Sequence, residues 1–209
     1  MCSRRLIVAG TDTGIGKTVF AAALVEAMDG DYWKPIQSGL EDATDLQTVA
    51  QLTGIGADRL LPEAHRLTQP MSPHLAAKRD GVAIDVSRLI PPATDRPLVI
   101  ELAGGLLVPL TDTQLQIDVV AGWSAPVVLV ARTSLGTINH SLLSMEALRA
   151  RCIPVQGIAF VGEPDEEVEE TICKFGKVRR LGRFPILPQL CRQALADAFE
   201  QNFDVEDFL

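Results

Sequence analysis

Short apolar runs punctuate the chain at residues 5–10, 32–37, 98–102, 126–131 and 155–161, with a weaker one at 180–184. As a group they are rich in Val, Ile and Leu, and the runs at 5–10, 98–102, 126–131 and 155–161 carry apolar residues at successive rather than alternate positions, the pattern of a strand covered on both faces. Between them, residues 17–28, 44–52, 138–151, 165–175 and 191–199 read as helices, several with apolar residues three and four apart. Strand and helix alternate. That order predicts an α/β chain in three layers, a mostly parallel central sheet with helices on both faces. Ligands in such sheets bind beyond the carboxyl ends of the strands. Segments 61–73 and 91–97 are interrupted by proline and read as irregular, no repeat is present, and residues 1–209 are expected to form one domain.

Composition removes several function classes. The chain has 209 residues and a formal net charge of -8, which argues against a nucleic-acid surface, since that needs clustered Lys and Arg. A small anionic ligand is not excluded. Cys2, Cys152, Cys173 and Cys191 form no Cys-x-x-Cys pair, and His65, His74 and His140 lack ligand spacing, so no transition-metal site is expected. Met1, Cys2, Ser3, Arg4 and Arg5 lead into an apolar run too short for a secretory segment, and no run approaches the roughly 18 residues that span a bilayer. A cytoplasmic protein with no membrane association is expected.

The chemistry concentrates at two predicted strand ends. After the first strand comes Gly10-Thr11-Asp12-Thr13-Gly14-Ile15-Gly16-Lys17-Thr18, opening a helix at Val19. Strand, Gly-rich loop, Gly-Lys-Thr and helix form a phosphate-binding order: backbone N–H groups wrap phosphate oxygens, Lys17 reaches the β/γ oxygens, and Thr18 can ligate Mg²⁺. The usual pattern has glycine five residues before Gly16; here that residue is Thr11 and the glycine is Gly10. With no Asn-Lys-x-Asp to read guanine, ATP is the expected nucleotide. Lys34, in Trp33-Lys34-Pro35-Ile36-Gln37-Ser38-Gly39, supplies a second cation. Asp45, at a helix start, and Glu101, closing a buried strand, together with Thr18 form an oxygen set suited to one Mg²⁺. Helix capping is the competing role for Asp45. Ala103, Gly104 and Gly105 follow Glu101, and Ser134-Leu135-Gly136-Thr137-Ile138-Asn139-His140 opens a helix whose free N–H groups suit an anion, with capping by Ser134 or Thr137 the alternative.

In order, GTDTGIGKT, KPIQSG, the Asp45 segment, QPMSPH at 69–74, ELAGG and SLGTINH resemble the motif set of the dethiobiotin synthetase family. The resemblance implies a P-loop NTPase-like fold and a homodimer that forms the ureido ring of dethiobiotin from 7,8-diaminononanoate, CO2 and ATP with Mg²⁺. It implies that Lys17 and Lys34 are the catalytic lysines. Gly14, Ile15, Gly16, Lys17, Thr18 and Val19 would hold the nucleotide, joined by Asp45, Glu101, Leu102, Ala103, Gly104 and Pro185. Thr18, Asp45 and Glu101 would hold the metal. Thr11 and Ser38 would lie near the diamine or its carbamate, and Leu135, Gly136, Thr137, Ile138 and Asn139 would take the substrate carboxylate across the dimer.

Two residues depart from the family pattern. Leu102 stands where glycine is common, and Val161 where many members have an Asn that contacts the base; Val161 cannot make that contact. A rival class, the partition or septum-site ATPases, shares the opening motif. Those proteins usually carry Lys where this chain has Asp12, and often end in a basic or amphipathic segment, whereas this chain ends acidic, at 202–209.

Overall fold

The computed structural model describes residues 4–209; Met1, Cys2 and Ser3, among them one of the four cysteines and the start of the stretch read as too short for a secretory segment, lie outside the described residues. The chain runs through β1 (Arg5–Gly10), α1 (Lys17–Ala27), β2 (Asp31–Trp33), β3 (Ile36–Ser38), α2 (Asp45–Thr53), β4 (Leu60–Leu61) and β5 (His65–Leu67). It continues through α3 (Pro73–Asp80), β6 (Leu98–Gly105), α4 (Gln116–Val120), β7 (Val127–Arg132) and α5 (Thr137–Ala150). The last elements are β8 (Val155–Val161), α6 (Glu166–Gly176), β9 (Arg180–Phe184) and α7 (Arg192–Asn202). Seven strands form one sheet in the order β4-β2-β6-β1-β7-β8-β9. Every pairing within it is parallel.

The pleat explains why these strands are apolar throughout. Leu6, Val8, Val99, Val128 and Val130 enter a core with α1, α2 and α7. Their alternates Ile7, Ala9, Ile100, Val127 and Leu129 enter a second core on the other face, with Met145, Leu148 and Ile172 of α5 and α6. Side chains on neighbouring positions point to opposite faces, so a strand sandwiched between helices has no polar side. Each fully buried Leu, Ile, Val or Phe contributes about 1.5–3 kcal/mol. No helix among the described residues is long and apolar enough to cross a membrane.

Three expectations about elements are corrected. The strand read at 32–37 is two strands: pairing of β2 with β6 ends at Trp33 and Ile100, and β3 pairs instead with β5 in a separate two-stranded sheet. Pro35 has no N–H to continue a ladder, so the chain leaves the main sheet there. Strand β5 lies in the segment read as irregular and β4 ends at its start, and α3 and α4 were not anticipated. The α3 helix is polar by composition, and its small buried face, Ala76 and Ala77, meets Ile36, Leu67 and Leu110, a tertiary match that propensity does not encode. Finally, β6 runs on to Gly105, which pairs with Gly10, past its expected end at residue 102.

Candidate active site

The Gly-rich loop after β1 takes its shape from two left-handed glycines, Gly14 at φ 70° and Gly16 at φ 93°. Gly16 is also the N-cap of α1 and offers no side-chain cap, leaving the first N–H groups of that helix for an anion. Lys17 is buried, and its Nζ donates to the carbonyl of Asp12 at 2.7 Å, folded back across the loop. Burial is the main reason its pKa falls from 10.5 to about 8; Glu101 opposes the fall and the Lys34 ammonium adds to it.

The displaced glycine has a steric cause. A Cβ on Gly10 would lie 2.7 Å from Lys17 Cδ and 2.8 Å from its Nζ. Gly10→Ala therefore pushes the lysine off its track across the loop. We expect nucleotide affinity to fall about tenfold, the worth of one charge-assisted contact, with a smaller loss of thermal stability, because the flexible lysine gives way more readily than the Asp12 carbonyl, which would stand 3.0 Å from the new Cβ. Calorimetric titration with nucleotide alongside a melting curve checks this, and unchanged affinity would show that Lys17 has room to spare.

Beside the loop, side chains from α1, α2, β6 and the connection after β2 converge. Thr18 Oγ1 lies 2.5 Å from Asp45 Oδ1 and 2.9 Å from Glu101 Oε1. Lys34 Nζ sits 2.6 Å from Asp45 Oδ2 and 2.9 Å from Glu101 Oε1. Glu101 is fully buried, and its other oxygen, Oε2, accepts from the Tyr32 hydroxyl at 2.8 Å. Desolvation alone would lower the Lys34 pKa, but Glu101 and Asp45 outweigh it and hold the ammonium charged, above its usual value. Burial likewise pushes Asp45 up, and Lys34, Thr18 and Gln37 overcome it, leaving the carboxyl below its usual range. The Thr18 hydroxyl has one proton for two carboxylate oxygens. Three hard oxygens, Thr18 Oγ1, Asp45 Oδ1 and Glu101 Oε1, thus cluster at one point beside the Lys34 ammonium, a donor set that can hold a hard divalent cation.

Asp45 does not cap its helix. Thr44 is the N-cap of α2, in a capping box with Gln47, and Asp45 is free to face Thr18 and Lys34. A cavity of about 320 Å³ opens from this cluster, lined by Thr13, Lys34, Ser38, Asp45, Gly104 and the turn before α3. Ser38 Oγ is buried there without a hydrogen-bond partner.

Other anticipated residues are spread around this centre. Thr11 lines a neighbouring cavity of about 340 Å³ between the loop and α5. Leu135, Gly136 and Asn139 are exposed, while Thr137 is buried and Ile138 packs on the core; none of the five lines the Lys34 cavity of the same chain. Gly136 is the N-cap of α5, so neither Ser134 nor Thr137 caps that helix through its side chain. Pro185 is half-buried after β9, and Val161 lines a third cavity, of about 360 Å³, with Thr133, Gly162 and Ile186. Leu102, Ile15 and Val19 point into the core, so any ligand contact they make is through the backbone. Leu102 is ordinary extended strand, and the left-handed residue of that segment is Gly104, at φ 60°.

Three participants escaped the sequence. Tyr32 reads as a core aromatic in a strand. Gln37 accepts from the Asp45 backbone N–H at 3.3 Å. Gln116, in the unanticipated α4, accepts from the Ala103 N–H at 3.2 Å and donates to the Ala103 and Gly105 carbonyls at 3.0 Å each, holding the end of β6 beside the cavity.

A family model described as an AAA domain matches residues 4–194. Among solved structures, the chain is similar to a ParA family ATPase from Chlorobium tepidum, with TM-score 0.58 and 12% identity over 96% of this chain and 99% of that one. It is also similar to the MinC:MinD cell division protein complex of Aquifex aeolicus, with TM-score 0.57 and 14% identity over 95% of each chain. At that identity the likeness extends to the fold alone. Curated relatives are far nearer: the protein named ATP-dependent dethiobiotin synthetase BioD from Agrobacterium fabrum is 61% identical over 99% of this chain and 98% of its own. The namesake from Nitrobacter hamburgensis matches at the same identity and coverage. With this identity running almost end to end, and with the loop, both lysines and both carboxylates assembled at the carboxyl ends of β1, β2 and β6, the chain belongs to the ATP-dependent dethiobiotin synthetase family.

Proposed function

We propose that the protein joins 7,8-diaminononanoate and CO2 at the expense of ATP, giving dethiobiotin, ADP and phosphate, as a cytoplasmic homodimer in biotin biosynthesis. The observation that carries this reading is the convergence of the Lys17 and Lys34 ammonium groups with Asp45, Glu101 and Thr18 at one end of the sheet. No step requires a protein nucleophile. A neutral amine of the substrate adds to CO2 and loses a proton to give a carbamate. The carbamate oxygen takes the γ-phosphoryl group of ATP, releasing ADP and leaving a carbamoyl phosphate-type mixed anhydride. The second amine attacks its carbonyl carbon, phosphate departs, and the ring is closed.

The obstacle is charge, since the carbamate and the γ-phosphate are both anions. The protein's task is to align them and to neutralise charge where it develops. Lys17 and the N–H groups from Gly14 to Val19 bind the phosphates, and the Ala103 to Gly104 backbone and Pro185 border the nucleotide. Lys34 faces the incoming carbamate, and Ser38 Oγ, buried and without a partner, is placed to hydrogen-bond the diamine or carbamate. Thr18, Asp45 and Glu101 would hold Mg²⁺, whose contribution when bound is to offset phosphate charge. Leu135 to Asn139 do not line their own chain's cavity. That suits the reading in which the start of α5 meets the substrate carboxylate of the other subunit, with Leu135 fully exposed in the single chain.

Release of phosphate from ATP is expected to require both bicarbonate and the diamino acid, with the product heavier than the diamino acid by one carbonyl less two hydrogens. Phosphate release indifferent to those substrates would instead point to a nucleotide switch. In the same assay Val161, apolar and without an amide, predicts weak discrimination among nucleoside triphosphates; a thousandfold preference for ATP over CTP and GTP would refute that.

A further inference from the structure

Tyr32 is the chain's single tyrosine. It lies in the middle of β2, fully buried, within the core that also holds Val99. In the parallel ladder Tyr32 is opposite Val99, so Glu101, two residues on, shares its face of the sheet and is its diagonal neighbour. Diagonal positions on a sheet are about 7–8 Å apart, within reach of an aromatic side chain. Packing alone would be met by phenylalanine. The hydroxyl is the addition, and its hydrogen-bond partner among the described residues is Glu101 Oε2, at 2.8 Å. A carboxylate only accepts, so the phenol donates.

The two oxygens of Glu101 therefore have separate duties. Oε2 belongs to Tyr32, whereas Oε1 meets Thr18 and Lys34, each at 2.9 Å. We propose that Tyr32 is a positioning residue: by pinning Oε2 it fixes the plane of the Glu101 carboxylate and presents Oε1 to a divalent cation beside Thr18. This deepens the proposed function and rests on its reading of Thr18, Asp45 and Glu101 as the cation-binding oxygens. A carboxylate without the phenol can rotate about its terminal torsion, which is broad and two-fold, and exchange its oxygens. Groups that hydrogen-bond a metal ligand from behind typically govern affinity by 10- to 100-fold.

The test uses the full-length protein with ADP and Mn²⁺ as the probe, free Mn²⁺ being read by electron paramagnetic resonance. Tyr32→Phe is expected to raise the Mn²⁺ dissociation constant about tenfold, while circular dichroism stays unchanged. The Mg²⁺ concentration for half-maximal turnover should rise in parallel, with KM for the diamino acid unaltered. Glu101→Gln serves as the reference and is expected to weaken Mn²⁺ at least as much. If Glu101→Gln weakens binding and Tyr32→Phe does not, the role of Tyr32 is refuted and the cation site stands. Unweakened binding in Glu101→Gln overturns the cation site and this inference with it. Should Tyr32→Phe not fold, 3-fluorotyrosine at the one tyrosine provides the readout. Its fluorine resonance is expected to shift when Mg²⁺ and ADP are added, and an unmoved signal refutes the coupling.

Discussion

Lys34→Gln leaves the sheet and helices intact and lowers ring closure by at least about a hundredfold to a thousandfold, the cost of losing one preorganised charge at a developing anion. The amide still reaches Asp45 or Glu101 as a donor but brings no charge to a point where two anions meet. Product mass measured over single and multiple turnovers, with circular dichroism on the same sample, checks this; near-normal turnover refutes the role of Lys34. Lys34→Ala should be as inactive and less stable. Lys34 and Glu101 are 5% and 0% exposed, so removing the ammonium strands a buried carboxylate, and breaking a buried pair from one side costs about 3–5 kcal/mol. The glutamine variant separates the lost charge from the lost packing.

Lys17→Gln is expected to weaken nucleotide binding by about 10- to 100-fold, the range for charge-assisted hydrogen bonds of 1.5–3 kcal/mol. The lysine also makes a prediction in pH. Its pKa in the nucleotide-free protein is lowered to about 8, burial being the chief cause. Phosphate oxygens favour the ammonium, so binding raises that pKa. Affinity is then full well below pH 8 and declines as pH rises through it, by up to tenfold per unit, with a proton taken up on binding. Calorimetry in buffers of different ionisation enthalpy reads that proton, and Lys17→Gln should abolish both the uptake and this limb of the pH profile. A wild-type affinity flat from pH 7 to 9 would mean the amine is fully charged before nucleotide arrives.

The same lowered pKa bears on stability with a definite sign. Between about 8 and 10.5 the unfolded chain binds more protons at this lysine than the folded chain, so its contribution to stability rises with pH across that window. Near neutrality the buried ammonium is a cost. A cost of this kind offset by packing elsewhere is what a ligand-binding loop would carry.

Legibility divided along physical lines. The β1 loop α1 unit was readable because every residue in it acts locally: glycines at left-handed positions, an uncapped helix start, and a lysine one position into the helix. The other lysine, the two acids and the ELAGG segment were readable as candidates through their order along the chain. Their pairings were not, because Thr18, Lys34, Asp45 and Glu101 come from four separate segments and meet only when β2 and β6 lie side by side.

From the chain alone came the periodicity that makes a helix-covered parallel sheet and the phosphate loop with Lys17 at its end, since each rests on neighbours within a few residues; Lys34 stood out only through its place in the ordered motif set. Tertiary structure decided the rest. It turned Asp45 toward Thr18 and Lys34 by giving its capping task to Thr44, explained Gly10 by the lysine that crosses it, and sent the chain out of the main sheet at Pro35. It also set a phenol behind Glu101 and tied the end of β6 to Gln116. Those outcomes depend on which distant strands and helices are adjacent, and adjacency is settled by the burial of both sheet faces at once, not by any one segment.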